Sequence, residues 1–285
     1  MTIPSPTLPD DIAETVRRAL TEDVGNGDLT AALIPINQTA HAQVVTREDA
    51  ILCGSPWFDE VFRQLDARVR ATWKAQDGEA IRAGQTLCQI EGPARAILTG
   101  ERTALNFLQT LSGVATRTRS YVDAIRGTKA VVLDTRKTVP GLRLAQKYAV
   151  RCGGGRNHRL GLYDGILIKE NHIAAAGSIT AALNAAKTAA QPNVLLEIEV
   201  ENFEQLRAAL AAGAKRILLD NFDLAGLRAA VDETHGQAQL EISGGVTLAN
   251  IRALAETGVD FISIGDLTKN ITAVDLSLRF EKTLR

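Results

Sequence analysis

Apolar residues change their spacing near residue 115, so the chain divides into two regions of different predicted structure. The first region contains a helical pattern over residues 10–23 and a second helical segment, SPWFDEVFRQL. Around the second segment lie AQVVTREDAILCG and the short β-like runs RVRATWK and QTLCQIEG. This mixture predicts an α+β domain over residues 1–113.

A long helix is predicted to link the two regions. It is expected to begin at a Thr99 cap and to end at Gly127. Its apolar face carries three leucines at helical spacing, Leu105, Leu108 and Leu111.

From residue 130 onward, short β-branched runs alternate with alanine- and leucine-rich helical segments. The runs are AVVLDTRK, GILIKEN, VLLEIEV, RILLDN, LEISGG and FISIGD, spaced as βαβ units require. Helical segments between them end at Gly213 and Gly258, which are typical stop signals. The pattern predicts about six parallel strands in an α/β domain over residues 114–285, with a C-terminal tail free to return to the first domain.

Each predicted strand is apolar at its start and polar at its carboxyl end. The polar ends carry Thr135, Arg136, Lys137, Lys169, Glu199, Asp220, Ser243, Gly265 and Asp266. An α/β barrel places its functional groups at that rim, and an open doubly wound sheet also binds ligands there. We favour a barrel, incomplete because it has about six strands instead of eight, and keep the doubly wound sheet as the alternative.

Composition narrows the possible functions. The 285 residues are 45% hydrophobic and 23% charged, which indicates a folded globular protein. A net charge of -1 and an aromatic content of 4% argue against a sequence-independent nucleic-acid binder. No apolar run approaches the ~18 residues that cross a bilayer, and the N-terminal residues lack the pattern of a signal peptide. We therefore expect a cytoplasmic protein that binds neither nucleic acid nor membrane.

Basic residues are concentrated in one segment. Residues 136–172 hold eight Lys/Arg and two acids, a charge of +6, which leaves 24 basic and 31 acidic residues, or -7, elsewhere. Three of these cations are spaced by four and are read as a solvated helix face: Arg143, Lys147 and Arg151. Three others lie where buried strands end: Arg136, Lys137 and Lys169. Buried cations need an anionic partner, and arginine matches carboxylate and phosphate, so the segment indicates a polyanionic small molecule.

Acidic residues fall on the next two strands. Alternation along VLLEIEV places Glu197 and Glu199 on one face, where Asp220 joins them from the following strand end. We read Glu197 as the partner of a barrel lysine or arginine. Glu199 and Asp220 are read as ligands of sugar hydroxyls or of a hydrated divalent cation.

Glycines after the last two strands suit phosphate binding. A helix expected to start near Thr247 follows three small residues that can present backbone N–H groups, Ser243, Gly244 and Gly245. Gly265 and Asp266 repeat the arrangement one strand later. Phosphate sites at the last two strands are common in barrels.

Histidines and cysteines give weaker signals. His158 and His172 flank Lys169 without the spacing of a zinc motif, so we expect His158 to hydrogen-bond substrate or to transfer a proton. The three cysteines are odd in number and widely spaced, which predicts reduced thiols, Cys53, Cys88 and Cys152.

Six segments together resemble the quinolinate phosphoribosyltransferase family, over essentially the whole chain and in the same order. They are EDVGNGDLT (22–30), ERTALNFLQTLSGVAT (101–116), LDTRKTVPGLRLAQKYAVRCGGGRNHRLGLYDGILIKENH (133–172), EIEVEN (197–202), LLDN (218–221) and EISGGV (241–246). Cys152 and Ile242 depart from the family pattern, which favours an aliphatic and a smaller residue there.

The resemblance implies an N-terminal α/β sandwich domain followed by an open α/β barrel of the type II phosphoribosyltransferase kind. It implies transfer from phosphoribosyl pyrophosphate to quinolinate with decarboxylation, giving nicotinate mononucleotide, CO2 and pyrophosphate in de novo NAD synthesis, with Mg²⁺ as cofactor. It also implies a homodimer, or an assembly of dimers, in which the partner chain supplies Arg102.

The resemblance carries roles onto individual residues. Quinolinate is bound in the family by residues matching Arg102, Arg136, His158, Arg159 and Lys169. Phosphoribosyl pyrophosphate is surrounded by residues matching Lys137, Glu199, Asp220, Ser243, Gly244, Gly245 and Gly265, and we add Thr135 and Asp266 as substrate-binding candidates. We expect catalysis to rest on Lys137, His158, Glu199 and Asp220, with Mg²⁺ held by Glu199 and Asp220, directly or through water.

These roles suit the chemistry. Breaking the bond between ribose and pyrophosphate builds oxocarbenium character on the sugar and negative charge on the leaving group. Carboxylates are therefore expected near the ribose, and cations near the pyrophosphate. Either Lys137 or His158 is expected near the carbon that is protonated after decarboxylation.

Two alternatives remain at this point. A Schiff-base aldolase would use Lys169 as its nucleophile. That function would not explain the cluster of arginines. A phosphometabolite sensor on the same barrel would bind the substrates and release no CO2.

Overall fold

The computed structural model describes residues 6–192 and 194–281. Its helices are α1 (Ile12–Val24), α2 (Ser55–Leu65), α3 (Ala94–Ala124), α4 (Arg143–Cys152), α5 (Glu170–Ala176), α6 (Ile179–Ala189), α7 (Phe203–Ala211), α8 (Leu224–Thr234), α9 (Ile251–Ala255) and α10 (Asp266–Lys269), with a 3-10 turn at Ala31–Leu33. In this part of the chain, no helix is long and apolar enough to cross a membrane.

The strands are β1 (Thr39–Thr46), β2 (Ala50–Ile51), β3 (Arg70–Trp73), β4 (Ala80–Ile81), β5 (Thr86–Pro93), β6 (Val131–Leu133), β7 (Gly165–Ile168), β8 (Leu195–Val200), β9 (Arg216–Leu219), β10 (Gln239–Ser243), β11 (Phe261–Ser263) and β12 (Leu276–Phe280). The fold is mixed α/β, as predicted.

Two compact units make up the molecule. The first comprises Met1–Arg119, Thr138–Gly154 and Leu267–Arg285, and the second comprises Ser120–Lys137 and Gly155–Asp266. The boundary between residues 113 and 114 that the sequence predicts stays a prediction.

The first unit contains a four-stranded antiparallel sheet in the order β12-β1-β5-β3. Helix α2 buries Trp57, Phe58, Val61 and Phe62, and the ring of Phe58 lies 5.3 Å from that of Trp73 on β3. The alternating runs of the first region therefore form strands because their apolar faces have a helix to pack against.

Helix α3 begins at Ala94, so the prediction of a Thr99 cap is wrong. Strand β5 runs directly into the helix, and the first turn buries Ala94 and Ile97. Thr99 lies within the helix, and its hydroxyl donates to Asp28 Oδ2 at 2.8 Å, which ties the segment between α1 and β1 to α3.

The basic face predicted on α4 is also only partly solvated. Lys147 is 1% exposed, whereas Arg143 and Arg151 are half-buried. Arg143 donates to Thr138 Oγ1 at 3.0 Å, and Arg151 donates to the Thr7 carbonyl at 2.6 Å. The reading of these residues as a solvated face is wrong for Lys147, because the helix packs within its unit on more than one side.

The second unit contains a parallel sheet of six strands in the order β6-β11-β10-β9-β8-β7. The first strand, β6, pairs with the last, β11, and the order then descends without reversal to β7. A doubly wound sheet would reverse its order at a switch point. The unit is therefore an open α/β barrel, with β6 and β7 at the two ends of the hydrogen-bonded order.

Candidate active site

The end of β6 lies directly beside the end of β11. The Lys137 N–H donates to Thr135 Oγ1 at 3.0 Å, and the Arg136 and Lys137 side chains are exposed. A Cβ at Gly265 would lie 2.7 Å from Lys137 Cδ and 3.4 Å from Thr135 Oγ1. Glycine at 265 therefore lets the lysine stem lie against the end of β11, where Asp266 begins α10.

The loop after β10 is shaped by two glycines. Gly244 and Gly245 have φ values of +90° and +62°, in the left-handed region that favours glycine. A Cβ at Gly244 would lie 3.9 Å from Asp220 Oδ1. The loop therefore presents exposed backbone close to an acid at the end of β9, next to Ser243.

The helix predicted to start near Thr247 starts at Ile251 instead. The Thr247 N–H is bonded to Asn250 Oδ1 at 2.8 Å, and Asn250 Nδ2 donates to the Gly245 carbonyl at 2.9 Å. Asn250 thus closes residues 245–250 into a turn. The exposed backbone directly after β10 therefore belongs to the two glycines and not to a helix terminus.

Two acids lie at neighbouring strand ends. Glu199 on β8 accepts from Lys169 Nζ at 2.8 Å, and its side chain is 12% exposed. Asp220 follows β9, where its N–H donates to the Val200 carbonyl at 2.9 Å and its Oδ2 accepts from Asn221 at 3.2 Å. The carboxylates are brought together because β8 and β9 are adjacent in the sheet.

Arg136 and Arg159 follow two segments that pair at Leu133 and Arg156. Arg159 donates through Nη1 to the Gly165 carbonyl at 3.1 Å and is half-buried. Burial lowers the pKa of Arg159, and the charge of Arg136 lowers it further. Like charges in one region favour a ligand with more than one negative charge.

His158 is bonded through both ring nitrogens. Its Nε2 lies 2.7 Å from Glu197 Oε2, and its Nδ1 accepts from the Arg159 N–H at 2.7 Å. Glu197 is fully buried and also accepts from Arg216 Nε at 3.2 Å, which confirms the reading of Glu197 as the partner of a barrel arginine. Burial raises the pKa of Glu197, but the contacts with His158 and Arg216 outweigh it, so this pKa lies below its usual value.

Four polar residues of this region have no role in the sequence analysis: Asp134, Arg216, Glu241 and Ser263. Glu241 is fully buried, accepts from Arg216 Nη2 and Ser263 Oγ, and has its pKa raised to about 7 by burial and by the charge of Glu197. Asp134 is fully buried as well. Their signal in the sequence is a single polar residue inside an apolar strand or at its end.

Two groups of three possible metal ligands occur among the described residues, Cys53 with Asp77 and Cys152, and His158 with Glu197 and Glu241. All three cysteines are free and buried. In the second group, Arg216 already provides a cation between the two carboxylates.

Arg102 is an exposed residue of α3 in the first unit. The next residue toward the amino end, Glu101, has its pKa raised by burial, and the charge of Arg102 opposes the shift. The remaining site candidates, by contrast, all belong to the second unit.

Fold and site together define a class: an open α/β barrel whose strand ends carry arginines, lysines, a glycine turn and two acids, as a site for a phosphorylated polyanion requires. The family model for the quinolinate phosphoribosyl transferase C-terminal domain matches residues 114–279, and that for the N-terminal domain matches residues 28–112. The chain therefore belongs to the quinolinate phosphoribosyltransferase family.

Known relatives agree with this membership. A probable nicotinate-nucleotide pyrophosphorylase [carboxylating] of Bacillus subtilis is 45% identical over 90% of this chain and 89% of its own length. The nicotinate-nucleotide pyrophosphorylase [carboxylating] of Mycobacterium leprae is 45% identical over 94% of this chain and 97% of its own. A solved nicotinate-nucleotide pyrophosphorylase structure from Francisella tularensis is 47% identical, has a TM-score of 0.94 and covers 99% of this chain and 100% of its own.

Proposed function

We propose that this chain transfers the phosphoribosyl group of phosphoribosyl pyrophosphate to quinolinate with loss of CO2, giving nicotinate mononucleotide and pyrophosphate in de novo NAD synthesis. The observation that carries the proposal is the placement of Arg136 and Arg159 just after two segments that pair at Leu133 and Arg156, in a chain of this family. A dicarboxylate on one aromatic ring relieves the repulsion between two such cations, and each arginine can bind a carboxylate through two N–H groups.

Pyrophosphate and ribose belong at the neighbouring strand ends. Lys137, held beside Gly265, places a cation where the leaving group gains charge, and the Gly244 and Gly245 N–H groups suit a phosphate. Glu199 and Asp220 place carboxylates near the ribose, where they stabilise developing positive charge and bind hydroxyls.

The donor set at these ends fits Mg²⁺. Glu199 and Asp220 offer carboxylate oxygens on adjacent strands, and Mg²⁺ prefers oxygen ligands and keeps several of its waters. We propose that these two residues hold the ion, directly or through water. When bound, Mg²⁺ supplies positive charge against pyrophosphate.

The aldolase alternative is weakened by the contact of Lys169. Its Nζ donates to Glu199 at 2.8 Å, so this nitrogen is paired with a carboxylate, whereas a Schiff-base lysine must attack a carbonyl carbon. On quinolinate binding, the ammonium is available for a carboxylate instead.

We also propose that the active chain is a dimer, or an assembly of dimers, in which Arg102 enters the partner's site. Exposed apolar side chains of the first unit lie near Arg102. Leu98, four residues earlier, is 37% exposed. Leu29 and Leu33 are 90% and 81% exposed, and they belong to the segment that Asp28 ties to Thr99. A second copy of the chain is the occupant that would cover them and receive Arg102. The buried free thiols support the cytoplasm as the location, since they suit a reducing compartment.

The function is tested with purified protein, Mg²⁺, phosphoribosyl pyrophosphate and quinolinate labelled in its 2-carboxylate. We expect labelled CO2 in a one-to-one ratio with nicotinate mononucleotide. Nicotinate lacks one carboxylate and so one charge-assisted pair, and we expect it to bind about 10- to 150-fold more weakly. Substrate binding without CO2 release would favour the sensor, and equal use of nicotinate would contradict the assignment.

The shared site is tested by mixing Arg102→Ala with Lys169→Ala protein. Each homodimer is expected to be nearly inactive, because both of its sites carry the same lesion. In a heterodimer, one site carries both substitutions and the other carries neither. Random exchange makes about half of the dimers mixed, so it should restore about a quarter of the wild-type activity. Native mass measurement of differently tagged chains checks the exchange, and no recovery after complete exchange would contradict the shared site.

A further inference from the structure

The tautomer of His158 follows from its two hydrogen bonds. A backbone N–H can only donate, so the 2.7 Å contact from Arg159 N makes Nδ1 the acceptor. The proton of the neutral ring then lies on Nε2 and is donated to Glu197 at 2.7 Å. An imidazolium would direct a second N–H toward that of Arg159. The geometry thus engages both ring nitrogens of His158 with groups of the protein.

Behind this histidine lies a largely buried ionic cluster. Glu197 and Glu241 are both 0% exposed, and Arg216 spans them, with Nε 3.2 Å from Glu197 and Nη2 on Glu241. The guanidinium Cζ also lies 3.7 Å from the centre of the Phe261 ring, and Ser263 Oγ donates to the second oxygen of Glu241. Each group restrains the next, so the carboxylate that accepts from His158 has a fixed position.

The segment that carries His158 is anchored from a second side. Buried Asp134 accepts from Asn157 Nδ2 at 2.5 Å and from the His158 N–H at 3.0 Å. Asn157 and His158 are thus attached to the barrel through Asp134, and Arg159 is attached to His158 through the bond from its N–H to Nδ1. Arg159 therefore projects from a backbone that is held in place on both sides.

The anchoring affects ligand binding because the positive charge of Arg136 acts on Arg159, whose pKa it lowers. If the backbone under Arg159 were mobile, each binding event would have to order this side chain beside Arg136 again. A fixed backbone under Arg159 avoids part of that cost.

We propose that Glu197, supported by Arg216 and Glu241, is a positioning residue that acts through His158 to hold Arg159 ready for an aromatic dicarboxylate. This role rests on the proposed function and adds residues to it that do not touch the substrate. A metal site on His158, Glu197 and Glu241 is disfavoured, because the Arg216 guanidinium already contacts both carboxylates.

The test compares ligand affinities of Glu197→Gln and wild type. The amide keeps the size of the side chain but directs an NH2 group toward Arg216 or His158. We expect the Kd of benzene-1,2-dicarboxylate, measured by calorimetry without the second substrate, to rise on the order of tenfold, as for one weakened charge-assisted bond. The Kd of phosphoribosyl pyrophosphate with Mg²⁺ should stay within about twofold, and KM for quinolinate should rise more than kcat falls.

Two further variants separate positioning from folding. Glu233→Gln removes a carboxylate from an exposed pair with Arg207 and is expected to change neither affinity. Glu197→Asp keeps the charge beside Arg216 but shortens the reach to His158, so it is expected to fold and to weaken dicarboxylate binding in the same selective way. The comparison is made on Glu197→Asp if the glutamine variant does not fold.

Nitrogen-15 spectra of histidine-labelled protein read the tautomer directly, with the His158 signals assigned by their loss in His158→Asn. We expect Nε2–H and an unprotonated Nδ1 in the wild type. An imidazolium, or a variant with lowered kcat and unchanged dicarboxylate affinity, would overturn the proposal in favour of proton transfer by His158. Unchanged affinity and unchanged kcat would overturn it in favour of a purely structural cluster. Absence of dicarboxylate binding or of CO2 release in the wild type would instead contradict the proposed function itself.

Discussion

Replacing Gly265 with alanine tests whether the end of β11 positions Lys137 for pyrophosphate. The new Cβ would lie 2.7 Å from Lys137 Cδ, well inside the ~3.5–4.0 Å optimum for two carbon atoms. The lysine stem must therefore move. Because that side chain is exposed and flexible, we expect the move to cost less than about 1 kcal/mol of folding free energy, or less than about 4 °C in Tm.

The effect on activity should be much larger than the effect on stability. Lys137 is proposed to donate a charge-assisted hydrogen bond to the leaving group, and such a bond contributes about 1.5–3 kcal/mol. Losing it should lower kcat/KM for phosphoribosyl pyrophosphate by about 10- to 150-fold. We expect KM for quinolinate to change little, since the dicarboxylate is assigned to Arg136 and Arg159.

The assay is CO2 release at varied phosphoribosyl pyrophosphate, with a thermal melt of the same preparation. Gly226→Ala is a matched control, because it places a Cβ 3.1 Å from Asp223 Oδ1 in the first turn of α8. It should leave both KM values unchanged. Wild-type kinetics in Gly265→Ala would refute the role of this contact, and a fall in Tm beyond about 10 °C would make Gly265 a structural residue.

Two further predictions concern buried and half-buried acids. Asp220→Asn keeps the shape of the side chain and removes its charge, so we expect kcat to fall by about 10²-fold with an unchanged Tm; unchanged turnover, or an unfolded variant, would return Asp220 to a structural role. Burial and the charge of Glu197 raise the pKa of Glu241 from 4.5 to about 7. Between these pH values the folded state therefore binds more protons than the unfolded chain. The contribution of Glu241 to the free energy of unfolding falls as pH rises through that window. Glu241→Gln should flatten the decline of Tm between pH 4.5 and 7 in pH-scanned melts, and an unaltered slope would show that another group causes it.

Local patterns in the sequence predicted the six strands of the barrel and several of the helices. The six β-branched runs form β6 to β11, and SPWFDEVFRQL forms α2, because the period of apolar residues records which face is buried. The change from apolar to polar at each strand end also placed the candidate residues at one rim. Resemblance to the family then supplied the reaction.

Tertiary structure decided what depends on contacts between distant residues. The pairing of β6 with β11 distinguishes an open barrel from a doubly wound sheet. The spacing of apolar residues within a segment does not determine which strands become neighbours. Thr99 has the residue type of a cap but lies inside α3, and Lys147 has the spacing of a solvated face but is buried. Both depend on what packs against the helix.

The contacts of His158 show the same limit most clearly. Its type and position beside Arg159 allowed substrate binding or proton transfer, and sequence alone could not choose. The structure brings it to Glu197, with Arg216 and Glu241 behind, from three adjacent strands. A buried charge is costly unless an opposite charge lies beside it. Only the folded chain determines which charged groups become partners.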